Sequence, residues 1–202
     1  MGFFNFLKKK KPSTEVEKAF EHLHIELTAR QMVDKAISYR NVGQYDRAIY
    51  LLKDVLKRYP LYTPAKTVLG TTLMAKGDIE EAERQFKKIL TEHADGKDYP
   101  LIEVYANLGS LYNNHKNDIS TTLEYYRLAL NSPKPDNVSN EAYRLMISNV
   151  CRDLCVIYFY KVRDLATAKQ FALKRLEIVK DCSAATKVYN FCLEAEKGNI
   201  SF

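Results

Sequence analysis

The side chains that could do chemistry in this 202-residue chain are few, and their spacing fits no reaction. The four histidines are His22, His24, His93 and His115, and no HExxH or comparable metal-ligand spacing includes them. His22 and His24 stand two residues apart, which on a helix sends them to different faces. Four cysteines, Cys151, Cys155, Cys182 and Cys192, all lie in the last third, without the two close pairs of a zinc site. Cys151 and Cys155 are one helical turn apart and read as small apolar side chains facing a neighbouring helix, in the reduced state. Neither GxxxxGK[ST] nor GxGxxG occurs, and no serine or cysteine sits in a nucleophile motif. The expectation is a protein with no catalytic residues, no cofactor and no metal.

A different chemistry is suggested at the amino terminus. Phe3, Phe4, Phe6 and Leu7 run directly into Lys8, Lys9, Lys10 and Lys11, placing aromatic area beside cations as the surface of an anionic membrane favours. The alternative is a tail without structure, or one whose phenylalanines dock on the protein's own end helix. Its order, apolar before basic, is the reverse of a secretory signal, and Phe6 stands where a myristoylation motif following Gly2 wants Ser or Thr. No apolar run approaches the roughly 20 residues that span a bilayer. The chain is therefore expected in the cytoplasm, with peripheral contact on the inner face of a membrane left open. Asn137-Val-Ser139 and Asn199-Ile-Ser201 match glycosylation acceptors formally and would be inert there.

With 46% apolar and 28% charged residues the body can bury a continuous core. Lys and Arg number 31 against 25 Asp and Glu, and four of the lysines are the tail run, so the body is nearly neutral. That argues against specific nucleic-acid binding, which needs excess cation on the folded surface.

The elements that must position any binding residues emerge from an internal repeat. Gly43-Gln-Tyr-Asp-Arg-Ala48 recurs as Gly77-Asp-Ile-Glu-Glu-Ala82, 34 residues later. The second copy reads Leu69-Gly70-x-x-Leu73, then Gly77, Ala82, Phe86 and Ile89; the third opens Tyr105-x-x-Leu108-Gly109-x-x-Tyr112. These spacings resemble the tetratricopeptide-repeat family. Each element has a physical reason. Ala36, Gly70 and Gly109 on the first helix of each pair, with Ala48 and Ala82 on the second, let two antiparallel helices approach closely. Gly43 and Gly77 supply left-handed residues at the turns, and Pro60 ends the first copy. The third copy departs, with one extra residue in its turn, Asn117 for glycine and Thr122 for alanine. The first has Lys35 where leucine is usual.

The spacing predicts helix pairs at 29–41 with 45–58, 63–75 with 79–92, and 100–114 with 119–131. A long helix at 140–162 comes next, pairing with 164–180 as a degenerate fourth repeat in which Asp164, Leu165, Ala168 and Leu176 fit. The predicted organisation is a tail (1–12) and a leading helix (13–28), begun by a Thr14-x-x-Glu17 capping box, with its continuation straight into the next helix left open. Three repeats come after it (29–62, 63–98 and 99–136, together 29–136), then the long helix with the fourth repeat (137–182) and a C-terminal capping helix (183–202). The resemblance implies an all-α fold, a right-handed superhelical array of antiparallel helix pairs, or α-solenoid, with capping helices.

The resemblance also implies a concave groove lined by the inner helices. Its positions here hold Arg30, Val33, Ile37, Arg40, Asn41, Thr67, Thr71, Met74, Ala106, Asn107, Ser110, Asn113 and Asn114, with Asp153, Ile157 and Tyr160 extending it. Some family members clamp a chaperone's terminal carboxylate with Lys, Arg and Asn. Those places hold Val33, Ile37, Val68, Ala106 and Ser110, so that ligand is not implied. The asparagines can hydrogen-bond an extended backbone, although the convex face, the ends or the helix at 140–162 would serve as well. The function implied is a non-catalytic scaffold or adaptor holding a protein or peptide segment. Alternatives are a chaperone for an aggregation-prone client, suggested by Val33, Ile37 and Met74, and, with less support, an RNA-binding repeat array.

Overall fold

The computed structural model describes residues 15–199, apart from the side chains of residues 16–26. Among them are α1 (Glu15–Asn41), α2 (Tyr45–Arg58), α3 (Thr63–Lys76), α4 (Ile79–Glu92), α5 (Leu101–Leu111), α6 (Ile119–Asn131), α7 (Asn140–Ile157), α8 (Leu165–Ile178) and α9 (Ser183–Glu196), with no strand. None of these helices is long and apolar enough to cross a membrane. The tail and its membrane-contact residues, Phe3 to Lys11, and Thr14 of the expected capping box lie outside the described residues. The fold is all-α, a solenoid of helix pairs. Two compact units divide within α4, after Gln85.

In the first unit α1 packs on α2 and α3, and α2 on α3. Ala29, Ala36, Ala48, Ala65 and Ala82 are fully buried, so helices approach at points where no side chain extends beyond Cβ. Leu52, Val55, Leu69 and Leu73 fill the space beside them, each worth about 1.5–3 kcal/mol of transfer free energy. Gly43 and Gly77 end their helices with φ of 76° and 99°. The Gly77 N–H bonds the Leu73 carbonyl at 3.0 Å and that of Asp78 bonds the same oxygen at 2.9 Å, satisfying the last turn of α3. The leading segment runs straight into the first repeat. Residues 15–28 and the first helix of the first repeat form one 27-residue helix, because nothing between Glu15 and Asn41 breaks it; the stretch contains neither Gly nor Pro.

In the second unit α5 packs on α6, α7 on α8, and α8 on α9. The irregular third and fourth repeats prove to be built alike, 46 residues apart. Each first helix ends in a π-helical turn, Tyr112–Lys116 and Tyr158–Val162. Each π turn closes on a left-handed residue that is not glycine, Asn117 (φ 51°) and Arg163 (φ 64°). Asp118 and Asp164 then cap the second helices, accepting from the backbone N–H of Thr121 and Thr167 at 3.0 Å and from their hydroxyls at 2.6 Å. The extra residue in the third turn is thus absorbed as a π bulge. The expected helix at 140–162 is α7 plus its π turn. The packing at the core of each pair is exchanged: a Cβ on Gly109 would lie 2.9 Å from the Tyr126 ring, while the corresponding positions in the fourth repeat hold Cys155 and Ala172, both buried.

Gly109→Cys should therefore destabilise the protein by about 1–3 kcal/mol through overpacking against Tyr126. Combined with Tyr126→Ala it should cost less than the two single changes together, by at least ~0.5 kcal/mol in urea-unfolding midpoints. A second outcome concerns the caps. Hydrogen bonds donated by the Thr121 and Thr167 hydroxyls, and next by their backbone N–H groups, hold Asp118 and Asp164 below the usual aspartate range. A depressed folded pKa stabilises above the unfolded value and the benefit disappears as pH falls through the folded one. Thermal melts should therefore drop below roughly pH 4, and less steeply in Asp118→Asn/Asp164→Asn.

Candidate peptide-binding surfaces

The residues expected to line a groove divide between the two units, Arg30 to Met74 in the first and Asn107 to Asn114 in the second. In the first unit Arg30 and Asn41 are exposed, while Ile37, Arg40, Thr71 and Met74 are half-buried. Val33 and Thr67 are not available: Val33 is 5% and Thr67 9% exposed. Val33 lies one turn before Ala36 and Ile37 on α1 and has joined the core. Thr67 Oγ1 turns back along α3 to donate to the Thr63 carbonyl at 3.3 Å. What remains accessible is polar and braced across two helices. Arg40 Nη1 donates to Thr71 Oγ1 at 2.9 Å, and Thr71 Oγ1 in turn donates to the Val68 carbonyl at 3.0 Å. Arg40 Nη2 reaches Asn41 Oδ1 at 3.5 Å.

In the second unit the end of α5 and its π turn bring amide side chains into a hydrogen-bonded row. Asn114 Nδ2 donates to Ser110 Oγ at 3.1 Å and Asn113 Nδ2 to Asn114 Oδ1 at 2.8 Å. Asn113 Oδ1 is buried and accepts no hydrogen bond. The row is tied to the next repeat, whose Lys161 Nζ donates to the Asn113 carbonyl at 3.1 Å. Asn107 and Ala106 are half-buried one to two turns before it. Of the extending positions, Tyr160 is exposed, Ile157 is buried and so corrected, and Asp153 is occupied, accepting from Tyr126 Oη at 3.2 Å and Arg152 Nε at 2.7 Å. Burial, then the Asp153 carboxylate, push the Tyr126 phenol far above its ordinary pKa, so it stays a neutral donor.

The remaining reactive groups divide by burial. Cys151, Cys155 and Cys192 are buried, and burial raises all three thiols, Cys155 to about 11. Cys182 differs from the other three. It is half-buried ahead of α9, and its Sγ takes a hydrogen bond from Arg175 Nε at 3.0 Å, which with the backbone N–H of Ala185 holds the thiol below its ordinary value. Sequence could not show this, because Arg175 stands where the third repeat has the packing residue Ala129, and only the fold brings position 175 to position 182. The described residues hold no group of three or more His, Cys, Asp and Glu able to bind a metal ion.

Residues 42–102 match the family model for the tetratricopeptide repeat. No curated protein matches the sequence. Among solved structures the chain is similar to the MamA protein, with 21% identity, a TM-score of 0.56, and 85% of this chain and 84% of that one covered. It is also similar to a tetratricopeptide repeat protein from Parabacteroides merdae, with 20% identity and a TM-score of 0.55; the match takes in 86% of this chain and 61% of that one. At such identities the likeness carries the fold alone. Residues 42–102 are thus tetratricopeptide repeat, and the chain that carries them has the fold of a tetratricopeptide-repeat solenoid.

Proposed function

We propose that this chain is a non-catalytic interaction module that holds an extended segment of a partner protein against the inner helices of its repeats. The observation that carries the reading is the row Ser110, Asn113 and Asn114 at the end of α5, exposed at Asn114 and pinned from the next repeat by Lys161. A side-chain amide presents a donor and an acceptor at once, which matches the alternating N–H and C=O of an extended backbone without selecting its side chains. Arg40, fixed on Thr71, offers a cation on the first unit to the same end. With Val33 in the core, the apolar lining that would favour a chaperone reduces to Ile37 and Met74, so adaptor or scaffold is the better reading. Phe3, Phe4, Phe6 and Leu7 with Lys8 to Lys11 support recruitment of such an adaptor to an anionic membrane surface from the cytoplasm.

Arg40→Ala/Asn114→Ala removes polar groups from the surface and should leave the thermal melt within ~0.5 kcal/mol of the parent. In affinity capture from native lysate, the proteins enriched by the parent should be lost by this variant; equal enrichment would place the binding surface elsewhere. A version beginning at Ser13 should keep those proteins and fail to sediment with phosphatidylserine vesicles. Sedimentation equal to the parent would remove the membrane part of the reading.

A further inference from the structure

The first unit carries a cleft of about 410 Å³ between α1 and α2, lined by Lys35, Tyr39, Asp46, Arg47, Tyr50 and Leu51. Its meaning appears on shifting by one repeat of 34 residues. Lys35 and Tyr39 correspond to Leu69 and Leu73, which are 3% and 5% exposed on a helix that packs against the preceding α2. The cleft is therefore the seat that in the second repeat takes the helix of the repeat before it. Here no described helix fills it. Residues 15–28 prolong the axis of α1, at 1.5 Å per residue, and do not fold back across it. Lys35 is exposed and Tyr39 half-buried, where their counterparts Leu69 and Leu73 are buried.

The chemistry of the seat has also changed. Its centre is still apolar, with the Tyr39 and Tyr50 rings and the Leu51 side chain. Around it, Lys35 Nζ stands 6.0 Å from the Tyr39 ring centre, and Arg47 reaches only to Gln44 Oε1 at 3.0 Å. The one carboxylate in the lining, Asp46, is taken by Lys76 Nζ at 2.9 Å, from the side of α3. Among the described residues, two cations are left facing the cleft without a carboxylate partner. The second repeat, whose seat is filled, has Leu69 in place of Lys35 and Glu81 in place of Arg47.

We propose that this face is a second binding surface, and that its occupant is an amphipathic helix of a partner protein with acidic residues flanking its apolar stripe. The seat sets the shape, one helix laid where a preceding repeat would lie, and the tyrosines supply rigid contact area at its centre. Lys35 and Arg47 set the charge. A second copy of this face would bring the same cations against each other, which disfavours self-association through it.

The test is a phage-displayed library of helical peptides of about 14 residues, selected on the immobilised full chain and counter-screened on two variants. In Lys35→Glu/Arg47→Glu the cleft charge is reversed, at positions exposed in the fold and in one case already Glu in the next repeat. Arg40→Ala/Asn114→Ala alters only the inner surfaces. Circular dichroism melts matching the parent qualify both variants. Expected are clones with an apolar stripe and net negative charge that lose at least tenfold in affinity on the charge-reversed variant, hold on the inner-surface variant, and weaken as salt rises from 50 to 300 mM. If no clone depends on Lys35 and Arg47, or those that do are not acidic, the proposal is overturned. A concentration-dependent dimer in sedimentation that Lys35→Glu/Arg47→Glu abolishes would overturn it in favour of a second copy.

Discussion

Everything in this fold depends on the close approach of antiparallel helices at a few positions that have almost no side chain. Ala36, Ala48, Ala65 and Ala82 are fully buried, and a Cβ on Gly109 would lie 2.9 Å from the Tyr126 ring. Helix axes can come within 8–10 Å only where side chains at the crossing are small. Once that distance is set, the positions one turn away must be large enough to fill the remaining space, and Leu52, Leu69, Leu108 and Tyr126 are. A backbone in register with such a ladder repeats itself, so every copy offers its neighbour the same seat.

The legible part of the sequence is the part this constraint writes directly. The Gly–Ala spacing marked the turns at Gly43 and Gly77 correctly, and Pro60 marked the end of α2. Burial along α1 was less legible. Val33 sits on a helix whose apolar and charged residues are not cleanly separated, so counting round the helix from a family pattern placed it on the surface when the core had taken it. Ile157 failed for a related reason: counted back from the turn, its position is reached through the π turn Tyr158–Val162, whose rotation per residue differs from that of an α-helix. The half-buried Cys182 depends on Arg175, and a contact between a helix residue and the residue capping the next helix has no periodic signature.

The fourth repeat shows how far the constraint tolerates exchange. Where the third pairs Gly109 with a tyrosine, the fourth pairs Cys155 with Ala172; the volume moves from one helix to the other while the pair stays close. Because family patterns are read position by position, this exchange looks like decay in the sequence. The turn is preserved by backbone geometry instead: Tyr112 and Tyr158 each present a carbonyl that accepts the N–H of Asp118 and Asp164 at 3.1 and 3.0 Å. Asn117 and Arg163 both take a left-handed conformation, less costly for asparagine than for arginine.

A ladder of such seats raises a problem wherever no preceding helix occupies one, as at α1 among the described residues. An exposed apolar seat invites indiscriminate stacking of one chain on another. At the carboxyl end of the second unit, α9 lies on α8 and buries Ala185 and Cys192. On α1 and α2 the sequence has instead changed leucine to lysine at position 35 and glutamate to arginine at position 47, relative to the next repeat. Charge of one sign on a shallow aromatic cleft repels a second copy and leaves the ring faces accessible to a helix of opposite charge. The lysine that makes the first repeat look imperfect is therefore also the one that, with Arg47, sets the charge of the proposed surface.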